Sequence, residues 1–146
     1  MAKDNEKGLR LTYTVFCDDV RLEVGNKLSL MGVFHQILVQ HFPVTLMKFA
    51  VVSQWRGEGR HLSEVRILTG DGQQAVVLAE PSPFEIATGG VANNISFFFN
   101  VEFPQPGRYR VQTLIDSSLA DEQELTLVHV DHTGAPAPDE SSEAVN

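Results

Sequence analysis

The feature that most constrains this chain is the alternation of apolar and polar side chains at every second position. The clearest example is a segment with five alternating apolar residues, Ile95, Phe97, Phe99, Val101 and Phe103. A strand with one buried face has this period of two, whereas an amphipathic helix repeats its apolar residues at i, i+3, i+4 and i+7. We predict a strand with these five side chains in the core and Phe98, the one exception, on the opposite face.

The same period predicts a first strand near the N-terminus. Its alternating apolar residues are Leu11, Tyr13, Val15 and Cys17. Because side chains two positions apart share one face of a strand, we place all four on the core side. A thiol in such a position behaves as a small apolar group whose pKa is raised, so we interpret Cys17 as structural and not as a nucleophile.

Glycine and proline clusters mark the limits of the apolar segments. The run Arg56-Gly-Glu-Gly-Arg60 is predicted to end the strand that precedes it. The run Thr69-Gly-Asp-Gly72 is rich in residues that tolerate positive φ, and it joins two apolar segments into a predicted hairpin. The span from Glu80 to Asn93 has the weakest pattern, and we expect an edge strand or a cover over the core there.

Together these segments define an all-β fold. Seven or eight strands, each with one apolar face, must bring those faces together over a shared core. The simplest arrangement is a single two-sheet antiparallel sandwich of the immunoglobulin-like or Greek-key type, with a closed barrel as the alternative. Because no segment has the helical repeat, we expect very little helix.

Length and composition are those of one domain with polar ends. The 146 residues, 42% of them hydrophobic, can form one core and differ clearly from the composition of disordered chains. We predict a flexible N-terminus over 1–9, a β-sandwich domain over 10–132 and a disordered acidic tail over 133–146.

Charge and hydropathy argue against two classes of partner. Nucleic-acid binding requires clustered cations, yet the 11 Lys and Arg residues are scattered and are outnumbered by 19 Asp and Glu, for a net charge of -8. No stretch approaches the roughly 18 apolar residues of a membrane span, and the first residues lack the apolar run of a secretory signal. We therefore expect no nucleic-acid partner, no membrane partner and a cytoplasmic location.

Residues with catalytic or metal-binding chemistry do not form a recognisable motif. His129, Asp131 and His132 are close in sequence, but along a strand His132 faces away from the other two. Carboxylates at predicted strand ends, such as Asp71 and Asp116, could gather around Ca²⁺, although the sequence lacks the Asp-x-Asp-x-Asp-Gly spacing of a calcium loop. We predict no catalytic, cofactor-binding or metal-binding residues, no cofactor and no enzymatic activity.

Two segments resemble a known family. The opening FCDDVRLEVGNKLSLMGVF over 16–34 has the pattern Asp-x-x-Arg-x-Glu followed by Lys-x-Ser-Leu-x-Gly-x-Phe. Its matching residues are Asp18 or Asp19, Arg21, Glu23, Lys27, Ser29, Leu30, Gly32 and Phe34. With the Phe-x-x-Pro-Gly-x-Tyr turn that begins at Phe103, this segment is similar to a family of small uncharacterised bacterial β-sandwich proteins. The resemblance implies a β-sandwich of bacterial origin, with no assigned activity and no functional residues to transfer.

The opening segment also contains a candidate surface. In an extended chain Asp19, Arg21 and Glu23 lie at alternate positions, so one Arg would be flanked by two carboxylates on the same face. This arrangement is typical of a structural clamp across the first strand connection. The alternative interpretation is a patch that faces a protein partner.

Three functional hypotheses follow. The first is a non-enzymatic module that binds an unidentified protein, which we favour because the core pattern is complete and sandwiches commonly use their loops for recognition. The second is a self-assembling structural subunit with Phe16, Val52 and Phe98 exposed at the contact. The third is an enzyme or a metal- or small-ligand-binding protein that uses strand-end carboxylates and histidines.

Overall fold

A computed structural model describes the backbone of residues 3–4 and the whole of residues 8–137. This part of the chain contains nine strands and no helix, which confirms the all-β prediction. The strands are β1 (Lys3–Asp4), β2 (Arg10–Glu23), β3 (Lys27–Phe34), β4 (Gln36–Val39), β5 (Val44–Leu68), β6 (Ala75–Leu78), β7 (Ser82–Phe103), β8 (Gly107–Ile115) and β9 (Ser118–His129).

Two long strands organise the fold. β5 and β7 pair antiparallel from Val44 opposite Phe103 to Ser63 opposite Ser82, with a register shift between Gly57 and Gly59. The prediction that the Arg56–Arg60 run ends a strand is therefore wrong. The glycines bend β5 without ending it. Gly57 has φ 145°, and a side chain there would collide with the main-chain oxygen of Gly8 and with the side chain of Leu9.

The bend divides the sheet into two arms. In the first arm, β5 before Gly57 lies between β2 and β7, and β3 pairs with β2. In the second arm, β5 after Gly59 lies beside β6 and β8, β9 pairs with β8, and β4 adds to β9 in parallel. All nine strands thus belong to one mixed sheet, where the sequence predicted two antiparallel ones, because β5 and β7 continue from one arm into the other.

The inner faces of the two arms share the main core. Phe49, Val51 and Phe98 of the first arm pack in one cluster with residues of the second, among them Ile67, Val111, Leu125 and Leu127. A second cluster surrounds Trp55 near the bend and includes Leu9, which is fully buried although it falls in the span predicted to be a flexible N-terminus. Aromatic and branched side chains in these clusters supply most of the stabilising apolar burial.

A bulge in β2 changes which of its side chains face that core. Leu11 pairs with Trp55 but Tyr13 pairs with Gln54, so Thr12 is an extra residue. Leu11 is therefore in phase with Phe16, while Tyr13, Val15 and Cys17 face the other side of the sheet. The prediction that all four alternating residues share the core side is wrong, because one inserted residue reverses the period-two pattern.

A second reversal occurs in β7 at Asn100. Phe98 is 3% exposed, whereas Phe97 and Phe99 are 39% and 61% exposed, the reverse of the predicted arrangement. Beyond Asn100 the predicted phase returns, and Val101 and Phe103 are buried. Asn100 has φ 53°, a left-handed conformation that Asn tolerates better than most residues, and it changes the face of the strand.

Other local predictions agree with the structure. β5 and β6 form the expected hairpin, with Ile67 opposite Val77, and the weakly patterned span after Glu80 belongs to β7, an edge strand that pairs with β5. Tyr109 in the Pro-Gly-x-Tyr turn donates a hydrogen bond to the carbonyl of Gln105, and burial raises the pKa of its hydroxyl. Most of the predicted acidic tail, 138–146, and residues 1–2 and 5–7 lie outside the described residues.

Candidate interaction surface on the first arm

The outer face of the first arm is unusually apolar for a solvent-facing sheet surface. Cys17, Ala50 and Phe97 lie side by side across β2, β5 and β7, and Val15, Val52 and Ile95 form the next row. Cys17, Ala50 and Val52 are fully buried, although they point away from the main core. The outer face therefore has its own small apolar cluster.

Part of this face is covered by a hairpin, which we call the cover hairpin and define as residues 18–32. Val20, Leu28 and Leu30 pack against the cluster formed by Cys17, Ala50 and Val52. At Gly32 the backbone of the hairpin adopts a left-handed conformation, with φ 68°. Because glycine has no side chain, the Asp18 carboxylate has room beside this position. Burial, and then the neighbouring charges of Asp18 and Asp19, raise the pKa of the Cys17 thiol, as expected for a structural cysteine.

The rest of the outer face is exposed and aromatic. We call this part the aromatic face and define it as Ile95, Phe97, Phe99 and Lys48. The rings of Phe97 and Phe99 stack with centroids 6.3 Å apart, and Nζ of Lys48 lies 5.0 Å from the centroid of Phe97. A cation over an aromatic ring is attracted to the negative face of its π system, which gives this surface a defined geometry.

An ion pair connects the aromatic face to the cover hairpin. Nζ of Lys48 donates a hydrogen bond of 2.9 Å to Oδ1 of Asp19, and both side chains remain partly exposed. The hydrogen bond from Lys48, followed by that from the amide of Val20, lowers the pKa of the Asp19 carboxyl. The ammonium is held between a carboxylate and a ring, which orders two long side chains at the surface.

The predicted patch of Asp19, Arg21 and Glu23 lies on the cover hairpin, where, after the hydrogen bonds from Lys48 and Val20, the charge of Arg21 also lowers the pKa of the Asp19 carboxyl. Asp19 bonds to Lys48, and Glu23 accepts a hydrogen bond of 2.9 Å from Oγ of Ser29. Arg21 is exposed and lies opposite Ser29 in the hairpin. Asp19 contacts Lys48 of the aromatic face, and sequence reasoning missed this contact because Lys48 is distant along the chain.

The contact residues predicted for self-assembly do not lie at the surface. Phe16, Val52 and Phe98 are 5%, 0% and 3% exposed, so none is available to a second molecule. The prediction is wrong for Phe16 and Phe98 because the bulge at Thr12 and the turn at Asn100 reverse the faces of β2 and β7, and it is wrong for Val52 because the cover hairpin packs over that part of the outer face. The exposed aromatic residues are instead the neighbours of Phe98 on either side.

A cleft of about 530 Å³ lies near the bend, on the second arm. Its central residue is His61, whose Nδ1 is 2.8 Å from Oδ2 of Asp116 and whose Nε2 is 2.9 Å from the carbonyl oxygen of Glu58. The ring of Phe84 packs against the imidazole at 5.6 Å. In a catalytic dyad the second nitrogen faces a nucleophile, but here it faces a main-chain acceptor.

The other residues singled out in the sequence have structural contacts. Nε2 of His129 lies 3.0 Å from the carbonyl oxygen of Gln40, and Asp131 closes a turn by accepting hydrogen bonds from Thr133 and from the amide of Ala135. These bonds lower the pKa of the Asp131 carboxyl, that from the Thr133 hydroxyl most. Within residues 8–137, no group of three His, Cys, Asp or Glu is arranged to hold a metal ion.

The outer face of the second arm is charged. Arg66 donates a hydrogen bond of 2.7 Å to Gln112, which in turn donates one of 2.6 Å to Glu122. Beside this chain, Arg108 lies 3.6 Å from Glu124. These cross-strand pairs of opposite charge are typical of a sheet face that remains in water.

These observations define an all-β domain with one bent sheet and an exposed aromatic face. Residues 12–128 match a sequence family described as Family of unknown function (DUF6941). The chain belongs to this family, as the resemblance of its opening segment to an uncharacterised family led us to expect. No curated protein matches the sequence.

Similar solved structures belong to much larger proteins. An alkylpurine DNA glycosylase from Pseudomonas fluorescens bound to DNA has 13% identity and a TM-score of 0.47 over 64% of this chain and 27% of its own. A mutant β-glucosidase from Listeria innocua in complex with laminaribiose has 10% identity and a TM-score of 0.49 over 89% of this chain and 16% of its own. The chain thus spans about a quarter or less of the length of either protein.

Proposed function

We propose that the protein is a non-enzymatic module that binds another protein through the aromatic face of its first arm. The observation that carries this proposal is the exposure of Phe97 and Phe99, which are 39% and 61% exposed beside an ordered Lys48. Aromatic residues are enriched where protein surfaces meet, because large rigid side chains lose little conformational entropy on contact. Asp19, at one end of the predicted patch, then lies at the rim of this binding surface.

The two arms act in this proposal as the layers of an immunoglobulin-like sandwich that holds the binding face rigid. Support comes from the shared core, to which both arms contribute buried side chains. A rigid sheet face presents side chains with little cost of ordering on binding. A cytoplasmic location in a bacterium, which is part of this proposal, fits the single buried thiol. Among the described residues, no helix is long and apolar enough to cross a membrane.

The non-enzymatic part of the proposal rests on the cleft around His61. Nδ1 lies 2.8 Å from the Asp116 carboxylate and Nε2 lies 2.9 Å from the carbonyl oxygen of Glu58, so both ring nitrogens are occupied by contacts that tie the bend to the turn at Asp116. A general base needs a lone pair directed at a nucleophile or water.

Self-assembly is opposed by the net charge of -8, which any two copies share.

The test compares binding by three forms of the full chain. The wild type, the double variant Phe97→Ser/Phe99→Ser and the matched control Leu78→Ser are each used to capture proteins from lysate, with quantification by mass spectrometry. Leu78 is 65% exposed, like Phe99, but lies on the second arm. We expect one protein that the wild type and the control retain equally and the double variant loses.

The affinity for that protein, once purified, distinguishes the outcomes. Loss of a central aromatic contact costs about 2 kcal/mol or more, roughly 30-fold in Kd. Equal affinity of all three forms would contradict the aromatic face as the binding surface. A molar mass that rises with concentration in the wild type and stays monomeric in the double variant would favour self-assembly instead.

A further inference from the structure

A second surface, which shares only Lys48 with the aromatic face, lies where the chain passes from β3 of the first arm to β4 of the second. A groove of about 610 Å³ separates β3 and β4 from the beginning of β5. We call it the edge groove. Its apolar lining is Val33, Phe34, Ile37, Leu38, Leu46 and Met47.

Both walls of the edge groove are strand edges. Among the described strands, β3 pairs with β2 alone and β4 pairs with β9 alone, so each has one edge without a partner strand. On the opposite wall, β5 pairs with β2 from Ala50 onward, and residues 44–49 pair with β7 on their other side. Main-chain groups along an edge of this kind are a template for a further strand.

The edge lacks the charged and proline residues that often prevent such pairing. Proteins place Pro or charged residues, especially Lys, on exposed edges to prevent association. The segment from Leu28 to Val39, which forms this edge, contains no Lys, Arg, Asp, Glu or Pro. Three large apolar side chains of the groove are also exposed, Val33 at 59%, Leu38 at 56% and Met47 at 78%.

Charge at the groove indicates what kind of segment would fit. Asp18 lines the groove beside Lys48, and the Lys48 ammonium already bonds to Asp19. A second copy of the chain would bring another Asp18 and the same net charge of -8. A segment with a Lys or Arg side chain near Asp18 is instead complementary.

We propose that the edge groove binds an extended segment of a partner protein by strand addition. The segment carries apolar side chains at alternate positions, which enter the groove beside Leu38 and Met47, and a basic side chain that pairs with Asp18. Main-chain hydrogen bonds to the β3–β4 edge supply affinity, and the alternating side chains supply selectivity. This inference does not depend on the aromatic face.

The test uses a defined probe. A display library of random nine-residue peptides is selected on the full chain, and one enriched peptide is synthesised with a fluorophore for anisotropy measurements. We expect an enriched pattern of alternating apolar residues with one Lys or Arg. N-methylation of the peptide main chain at alternate positions should weaken binding at least tenfold, and at the intervening positions should have little effect, because one edge of an added strand forms the hydrogen bonds.

Variants of the chain locate the peptide. Leu38→Ser/Met47→Ser should weaken binding at least tenfold and Asp18→Asn severalfold, while Leu78→Ser and the aromatic double variant Phe97→Ser/Phe99→Ser should bind as the wild type does. Failure to enrich a peptide, or binding unaffected by N-methylation, would overturn the proposal. Loss of peptide binding in the aromatic double variant alone would overturn the edge-groove proposal while leaving the proposed function intact. If the chain forms a dimer and Leu38→Ser/Met47→Ser makes it monomeric, the groove binds a second copy instead.

Discussion

The outer faces of the two arms differ in almost every chemical respect, although the same two long strands run through both. The face of the second arm has a chain of hydrogen bonds from Arg66 through Gln112 to Glu122. The face of the first arm has the cover hairpin over Cys17 and, beside it, exposed Phe97 and Phe99. The polar groups on the face of the second arm interact with water and with each other. The face of the first arm still has apolar area in contact with solvent.

The apolar content of the two outer faces is the basis of the proposed role of the first arm. A sheet that needs one buried face can leave the other polar at no cost, as the second arm does. The first arm instead has apolar side chains on both faces, and the cover hairpin shields only some of them. Since exposed aromatic clusters favour association, their presence on one arm supports the proposed binding role, which the following variants test.

The largest expected effect is that of Gly32→Ala, which disturbs the base of the cover hairpin. An added Cβ would collide with the Asp18 carboxylate, and the left-handed φ of 68° is unfavourable for Ala. We expect a loss of about 3 kcal/mol in the free energy of unfolding, measured by urea denaturation. Because Cys17 is fully buried under the hairpin, its labelling by a thiol reagent should also become faster.

Gly89 supplies the matched control for that variant. Its φ of 71° is nearly the same, but nothing lies within 4 Å of a Cβ built there. Gly89→Ala should therefore cost only the conformational strain, about 1 to 2 kcal/mol, and leave Cys17 labelling slow. Equal labelling rates in the two variants would contradict the covering role of the hairpin, and so would a failure of Asp18→Ala to restore part of the stability lost in Gly32→Ala.

The next effect concerns the residue that turns the aromatic side chains outward. Asn100 has φ 53°, so Asn100→Gly should keep or slightly raise stability, whereas Asn100→Ala should lower it by about 1 kcal/mol. Thermal or urea unfolding of the two variants provides the measurement. An Ala variant as stable as the Gly variant would mean that φ at this position does not determine the face reversal.

A smaller effect is expected from pH at the rim of the aromatic face. Because the pKa of Asp19 is lowered in the folded protein, its contribution to stability is present above the unfolded pKa and disappears as the pH falls through the folded value. Wild type should therefore exceed Asp19→Asn in stability at pH 7, and the two should converge below about pH 4. A gap that stays constant down to pH 2 would contradict the ion pair with Lys48.

The smallest effect is predicted on the charged face. Arg108 and Glu124 are 77% and 58% exposed and 3.6 Å apart, so Arg108→Ala should change the free energy of unfolding by at most about 0.5 kcal/mol. It should also leave partner capture unchanged. A larger loss of stability, or a loss of capture, would remove the contrast between the two faces.

Much of the strand pattern was predictable from the sequence, but the faces were not. The hairpin around Thr69–Gly72, the absence of helix in the described residues and the strand that contains Phe97 all follow from local periodicity. Thr12 and Asn100 each reverse a face without disturbing the composition of their strands. The candidate surface could not be predicted because it depends on these two reversals and on the pairing of Asp19 with Lys48 across the fold.

Local sequence patterns predicted that the chain is all-β, where its hairpin turn lies and that its thiol is structural, because these depend on residues close together along the chain. Long-range packing was needed to see that β5 and β7 pass through both arms and that Phe98 is buried while Phe97 and Phe99 are exposed. This is so because the side-chain period of a strand is two residues. One inserted or left-handed residue therefore moves the following side chains of a strand from the core face to the solvent face, and only the packing of the whole sheet shows which side chains face the core.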